Sequence, residues 1–122
     1  MEKKQNIIDD NQLLTREEFK KYGFQRTNGK CCIPFCDCDA VDAHHIMDRK
    51  LWSDGGYYLS NCAPVCEKHH IDCEKGRITP VELMYYCNID VDEILQPDKI
   101  DWLNRTDYLL FIKLNMIDKW GN

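Results

Sequence analysis

The sequence predicts an α+β protein: a small strand–loop–strand–helix centre, fronted by a cysteine knuckle and flanked by helices. Two observations carry this. Two short, β-prone runs, at 41–46 ("VDAHHI") and 58–65 ("YLSNCAPV"), are separated by the turn-forming "SDGG", the spacing of a hairpin. Around them, two segments open with the residue order of a helix N-terminus, a capping residue followed three positions later by glutamate. With 122 residues there is enough chain for one modest core and not for two.

Each element follows from its local chemistry. The first dozen residues, "MEKKQNIIDDNQ", are polar and hold no apolar core of a signal peptide, so a loose tail is expected. In "LLTREEF", Thr15 caps, Glu18 completes the box and Leu14 staples onto Phe19; Gly23 is expected to end this helix. "NGKCCIPFCDCDAVDAHHI" is rich in turn residues and cysteine and runs into the strand at 41–46. "CEKHHIDCEKG" predicts a helix stopped by Gly76. "ITPVELMYYC" starts another, with Thr79 as cap, Pro80 at its first position and Glu82 closing the box. "WLNRTDYLLFIKLNMIDKW" is apolar enough to pack as a helix or a strand. The expected organisation is a tail and helix over 1–29, the centre over 30–76 and a helical extension over 77–122 packed on it, a single domain overall.

The chain has no apolar run of the ~18 residues that a membrane span requires. Without a leader the expected location is intracellular, where the eight cysteines serve as thiols and metal ligands rather than disulfides. A net charge of -5 does not suggest a nucleic-acid binder, but its distribution matters more than its sum. Residues 1–31 hold seven Lys or Arg against five Asp or Glu, and residues 78–122 hold four against eight. A nucleic-acid surface would therefore be local, with the acidic C-terminal part facing away; plain solvated charge is the other reading.

The four histidines form two adjacent pairs, His44–His45 and His69–His70, with cysteines on both sides. A structural zinc takes four nitrogen or sulfur ligands at the corners of a tetrahedron, usually from two short-spaced pairs. Cys32 and Cys36 supply C-x3-C, and Cys66 and His69 supply C-x2-H; Cys31, Cys38 and Cys73 are rival ligands. Cys62 and Cys87 are expected to be small buried hydrophobes. Neighbours on a helix are about 100° apart, so His69 can face the zinc while His70 points elsewhere with Glu74, four residues on. On a regular strand His44 and His45 face opposite ways, so a shared site requires the strand to end or bulge there. His44 and His70 on a divalent metal, with His45 as a neutral base, would suit hydrolysis of a phosphodiester.

At these residues the sequence closely resembles the HNH endonucleases, the ββα-metal nucleases with a zinc-knuckle frame. The resemblance rests on "DAHHI", Gly55–Gly56, the asparagine of "LSN" and "CEKHH", and covers about residues 30–76. It implies that His44 is the first metal ligand, His45 the general base and His70 the second ligand, with Glu74 where some members have a further one. Asn61 would hold the loop between the strands and orient the base, and Cys32, Cys36, Cys66 and His69 would match the zinc frame. It further implies a structural Zn2+, a catalytic divalent metal, most often Mg2+, and DNA as substrate, with RNA left open. The C-x2-H second knuckle and the crowding by Cys31 and Cys38 depart from the usual pattern.

Beyond these, Asp42 is placed to orient a histidine or simply to cap. Arg49 and Lys50 are placed to reach phosphates or to be solvated. Trp52, Tyr57 and Tyr58 read as packing groups before base-stacking ones. The alternative to the nuclease is a non-catalytic zinc-ribbon module that binds nucleic acid or protein; it leaves His44, His45, Asn61 and His70 together unexplained.

Overall fold

Thr15 and Glu18 behave as their spacing predicts. In the computed structural model, which describes residues 12–94 apart from the side chains of Lys50, Val91 and Asp92, the Thr15 side chain accepts from the Glu18 backbone. The Glu18 carboxylate in turn accepts from the Thr15 N–H, opening α1 (Arg16–Gln25). Leu14 and Phe19 are buried in one cluster with Leu59 and Cys62. Gly23 does not end the helix. It lies inside it and buried, because a Cβ there would collide with the Cys62 Sγ; the chain turns afterwards, with Asn28 and Gly29 both at positive φ. What looked like a stop is a close approach of helix to strand.

The chain then makes a short antiparallel bridge, Lys30 opposite Asp39, that closes the cysteine-rich loop. β1 (Asp42–His45) pairs antiparallel with β2 (Cys62–Val65) in the register His44 opposite Ala63 and His45 opposite Cys62. Between the strands lie 3-10 turns at Arg49–Leu51 and Leu59–Asn61. α2 (Glu67–Glu74) follows β2 directly, and Gly76 beyond it has φ 76°, as a helix stop needs. α3 (Pro80–Tyr86) has the full predicted start: the Thr79 cap, Pro80 and the reciprocal bonds with Glu82. A last short helix, α4, spans Val91–Ile94.

The described chain is thus a small α+β fold in which a two-stranded sheet separates α1 on one face from α2 on the other. The main core gathers Ile46, Met47, Leu51, Trp52 and Tyr58 with Leu83 and Met84 of α3, so Trp52 and Tyr58 are packing groups. Among the described residues no helix is long and apolar enough to cross a membrane. The expected N-terminal tail and the apolar segment 102–120 lie outside the described residues.

Candidate active site and metal centre

The loop between the strands is fixed by one side chain. Asn61 is 0 % exposed; its Oδ1 accepts from the Met47 N–H at 2.7 Å and its Nδ2 donates to the Met47 carbonyl at 3.1 Å. A longer contact, 3.5 Å, runs from Nδ2 to the Gly56 carbonyl. One buried amide therefore saturates backbone groups at both ends of residues 47–56, the work a ladder of hydrogen bonds does elsewhere. Met47 follows His45 by two residues, so the loop is pinned just beyond the end of β1.

β1 ends at His45, without a bulge. The two histidines remain in register, on opposite faces, and both still reach one cleft of about 490 Å³ at the strand edge. His45 lies on the α1 side, its ring stacked on Phe19 at 4.7 Å and 22° and edge-on to Tyr57 at 5.0 Å. Its Nε2 is buried and has no protein partner. Burial lowers its pKa to about 4, helped by the nearby Arg49 charge, so the imidazole is neutral at physiological pH. His44 lies on the α2 side, with its ring 5.4 Å from that of His70, and burial followed by the His70 charge lowers it to about 4 as well.

His70 is held at both nitrogens: Nδ1 lies 3.1 Å from Asp42 Oδ2 and Nε2 3.3 Å from Glu74 Oε2. Asp42 and His44 share a face of β1, two residues apart, and His70 and Glu74 share a face of α2, four apart. Two imidazoles and two carboxylates at a cleft form a donor set suited to a divalent cation. Binding one through His70 requires a carboxylate to release the nitrogen it now holds. Sequence reasoning gave Asp42 only a general orienting role; its exact partner depends on how α2 crosses β1.

The sulfur ligands are assembled more tightly. Cys31, Cys36, Cys66 and His69 bring their ligand atoms all within 4.8 Å of one another, the only group of three or more potential ligands that does so among the described residues. The measured separations are 3.9 Å for Cys36 Sγ to Cys66 Sγ, 3.4 Å for Cys31 Sγ to His69 Nδ1 and 3.3 Å for Cys66 Sγ to His69 Nδ1. Zinc–sulfur and zinc–nitrogen bonds of ~2.3 and ~2.05 Å at tetrahedral angles imply edges of about 3.8 and about 3.6 Å. The four residues fit zinc with little adjustment. Cys36 is already biased toward thiolate, first by the Cys38 backbone N–H, whereas burial pushes Cys31 up to about 12.

One expected ligand is replaced. Cys31, not Cys32, joins the cluster. Cys32 packs instead against the main core beside Cys87, and that neighbour, with burial, holds its pKa well above the usual thiol value. Cys38 is exposed and within reach of the Cys36 and Cys66 sulfurs without completing the four, and Cys73 is half-buried against the core. Cys62 is buried as expected, while Cys87 is only half-buried. Arg49 lines the cleft with its guanidinium 5.3 Å from the Tyr57 ring, so Tyr57 is a wall of the site. The Lys50 side chain is outside the described residues.

No protein-family model matches the chain, and neither a curated protein nor a solved structure matches it.

Proposed function

We propose that the chain is a metal-dependent endonuclease of the HNH kind, with a ββα-metal centre formed by β1, β2 and α2, that hydrolyses phosphodiester bonds in DNA. The observation that carries this reading is the state of His45: a neutral imidazole on the wall of a cleft, its plane held by Phe19 and Tyr57, with His44 and His70 lining the same cleft. A zinc-binding scaffold has no need of a neutral imidazole held in one orientation at a cleft; a general base does.

In this reading a water in the cleft gives its proton to the His45 imidazole as its oxygen attacks phosphorus, and the bond from phosphorus to the leaving oxygen breaks. Asn61 keeps the strand ends and the loop in place while this happens. His44, His70 and Glu74 would hold a divalent cation, by expectation magnesium, which would supply charge neutralisation at the phosphate and the leaving oxygen. Cys31, Cys36, Cys66 and His69 hold a structural zinc that fixes the N-terminus of α2, and with it the direction of His70.

The test is nicking of supercoiled plasmid by purified protein with magnesium, manganese or nickel, beside a zinc analysis. Metal-dependent nicking that collapses in His45→Ala is expected. Protein that holds zinc and binds DNA but nicks with none of the three metals would instead be a non-catalytic zinc module.

A further inference from the structure

The catalytic reading leaves α1 without a chemical role, although that helix forms one wall of the cleft. Arg16, Phe19, Lys20 and Gly23 fall at the spacing of a single helix stripe. The stripe is apolar at its centre, where Phe19 and Gly23 are buried against His45 and Cys62. At its edge Arg16 and Lys20, one turn apart, are exposed and both line the cleft. Among the described residues neither has a carboxylate within 4.0 Å; the ion pairs there involve Lys30, Lys68, His70 and Arg77.

The acids nearest these cations are directed elsewhere. Glu18 folds back to the Thr15 N–H, and Glu17 does not line the cleft. Of the three carboxylates that line the cleft, Asp42 and Glu74 sit at the two nitrogens of His70, and Asp48 precedes Arg49 in the loop after β1. Arg49 adds a third positive group to the same wall system as Tyr57. The cleft thus has a carboxylate pair around His70 and a cationic pair on α1, with the Asp48–Arg49 loop also lining it and His45 between Phe19 of α1 and His44 of the metal side. In a chain of net charge -5, the exposed Arg16 and Lys20, beside a candidate base and unpaired with any carboxylate among the described residues, are a local exception to the overall balance.

We infer that α1 is the substrate-holding wall: Arg16 and Lys20 bind successive phosphates of a nucleic-acid strand running past His45. The rise of one helical turn, about 5.4 Å, is comparable with the step between phosphates along a strand. The assignment rests on the proposed function for the position of the scissile phosphate, and it names the contacts that make a polyanionic strand, rather than a small phosphodiester, the preferred substrate.

The experiment measures binding of a short fluorescein-labelled DNA duplex, and separately of one of its strands, by the zinc-loaded full chain across a salt series without added divalent metal. Each phosphate contact contributes a slope of about -0.9 in log K against log salt for duplex and about -0.7 for a single strand. Arg16→Gln with Lys20→Gln should therefore flatten the slope by about 1.8 or about 1.4, and the larger loss of affinity identifies which form the wall holds. Both side chains are exposed, so the melting temperature should be unchanged. Lys21→Gln, off the cleft on the same helix, should keep the wild-type slope. A double variant with wild-type slope and affinity overturns the inference, as does wild-type protein with no salt-dependent binding. Plasmid nicking separates this from the catalytic reading. Steep binding lost in the double variant, without nicking by wild type, upholds the wall and removes the endonuclease; nicking with unchanged KM in the double variant does the reverse.

Discussion

The Phe19 ring, from a helix outside the hairpin, lies nearly parallel to that of His45 at 4.7 Å. A stacked ring limits rotation of the imidazole about its bond to the strand, so His45 keeps one orientation at the cleft wall. Phe19 is 2 % exposed, and truncation to alanine would remove enough of the core to endanger the fold. Phe19→Leu keeps most of the volume and loses the flat face. Its expected effect is a fall in kcat of about tenfold, from the loss of orientation, with KM and zinc content unchanged. A KM effect alone, with kcat intact, would show that Phe19 is no more than packing.

His45→Ala should bind DNA as wild type does and cut it about 10²- to 10⁴-fold more slowly. The pH dependence follows from the lowered pKa. An imidazole at about 4, rather than 6.5, is already in its basic form at neutral pH, and its protonated, inactive form accumulates only toward pH 4. Between about pH 6 and 8 the cleavage rate should show no limb from this group. A limb centred near 6.5 would mean that the base is exposed and unshifted.

The two adjacent cysteines separate the metal frame from the core. Cys31→Ser should lose the zinc and, with it, cooperative melting, since a structural zinc supplies folding free energy outright. Cys32→Ser should keep one zinc per chain. Metal analysis of the two purified variants decides it, and zinc retained by Cys31→Ser but lost by Cys32→Ser would reverse the ligand assignment.

Asn61→Ala deletes the amide that serves the Met47 N–H and carbonyl. Leaving those buried groups unpaired should cost about 2–4 kcal/mol, read as a drop in the chemical-denaturation midpoint. A variant as stable as wild type would show that the loop closes by other means.

Gly23→Ala should destabilise by about 1–3 kcal/mol through overpacking against Cys62, although alanine is the better helix former. Cys62→Ala should make the same substitution neutral or favourable. Thermal melts of the four proteins in the cycle check the coupling.

What the sequence made legible was whatever a few consecutive residues decide. The Thr15–Glu18 and Thr79–Glu82 boxes, the Leu14 staple and the Gly76 stop are local, and each is found as spaced. Gly23 misled because a glycine that ends a helix and one that admits a neighbouring strand look alike until Cys62 is in place. Cys31 and Cys32 could not be ranked by spacing. Adjacent residues on such a segment point apart, and only the positions of His69 and Cys87 determine which one meets the metal frame. The grip of Asp42 on His70 depends in the same way on where α2 crosses β1.

α2 has no buried residue anywhere along its length. Apart from Cys73, half-buried against the core, this helix presents no apolar side to hold it in water, so in the proposed reading its docking falls to zinc coordination at Cys66 and His69. That gives its anchorage an unusual thermal character. Contacts driven by the release of water from apolar surface weaken on cooling, whereas a metal–thiolate bond has no such dependence. The wall formed by α1 and Phe19 is of the first kind and the helix carrying His70 and Glu74 is of the second, so chilling would loosen the two sides of the cleft unequally, the α1 side first.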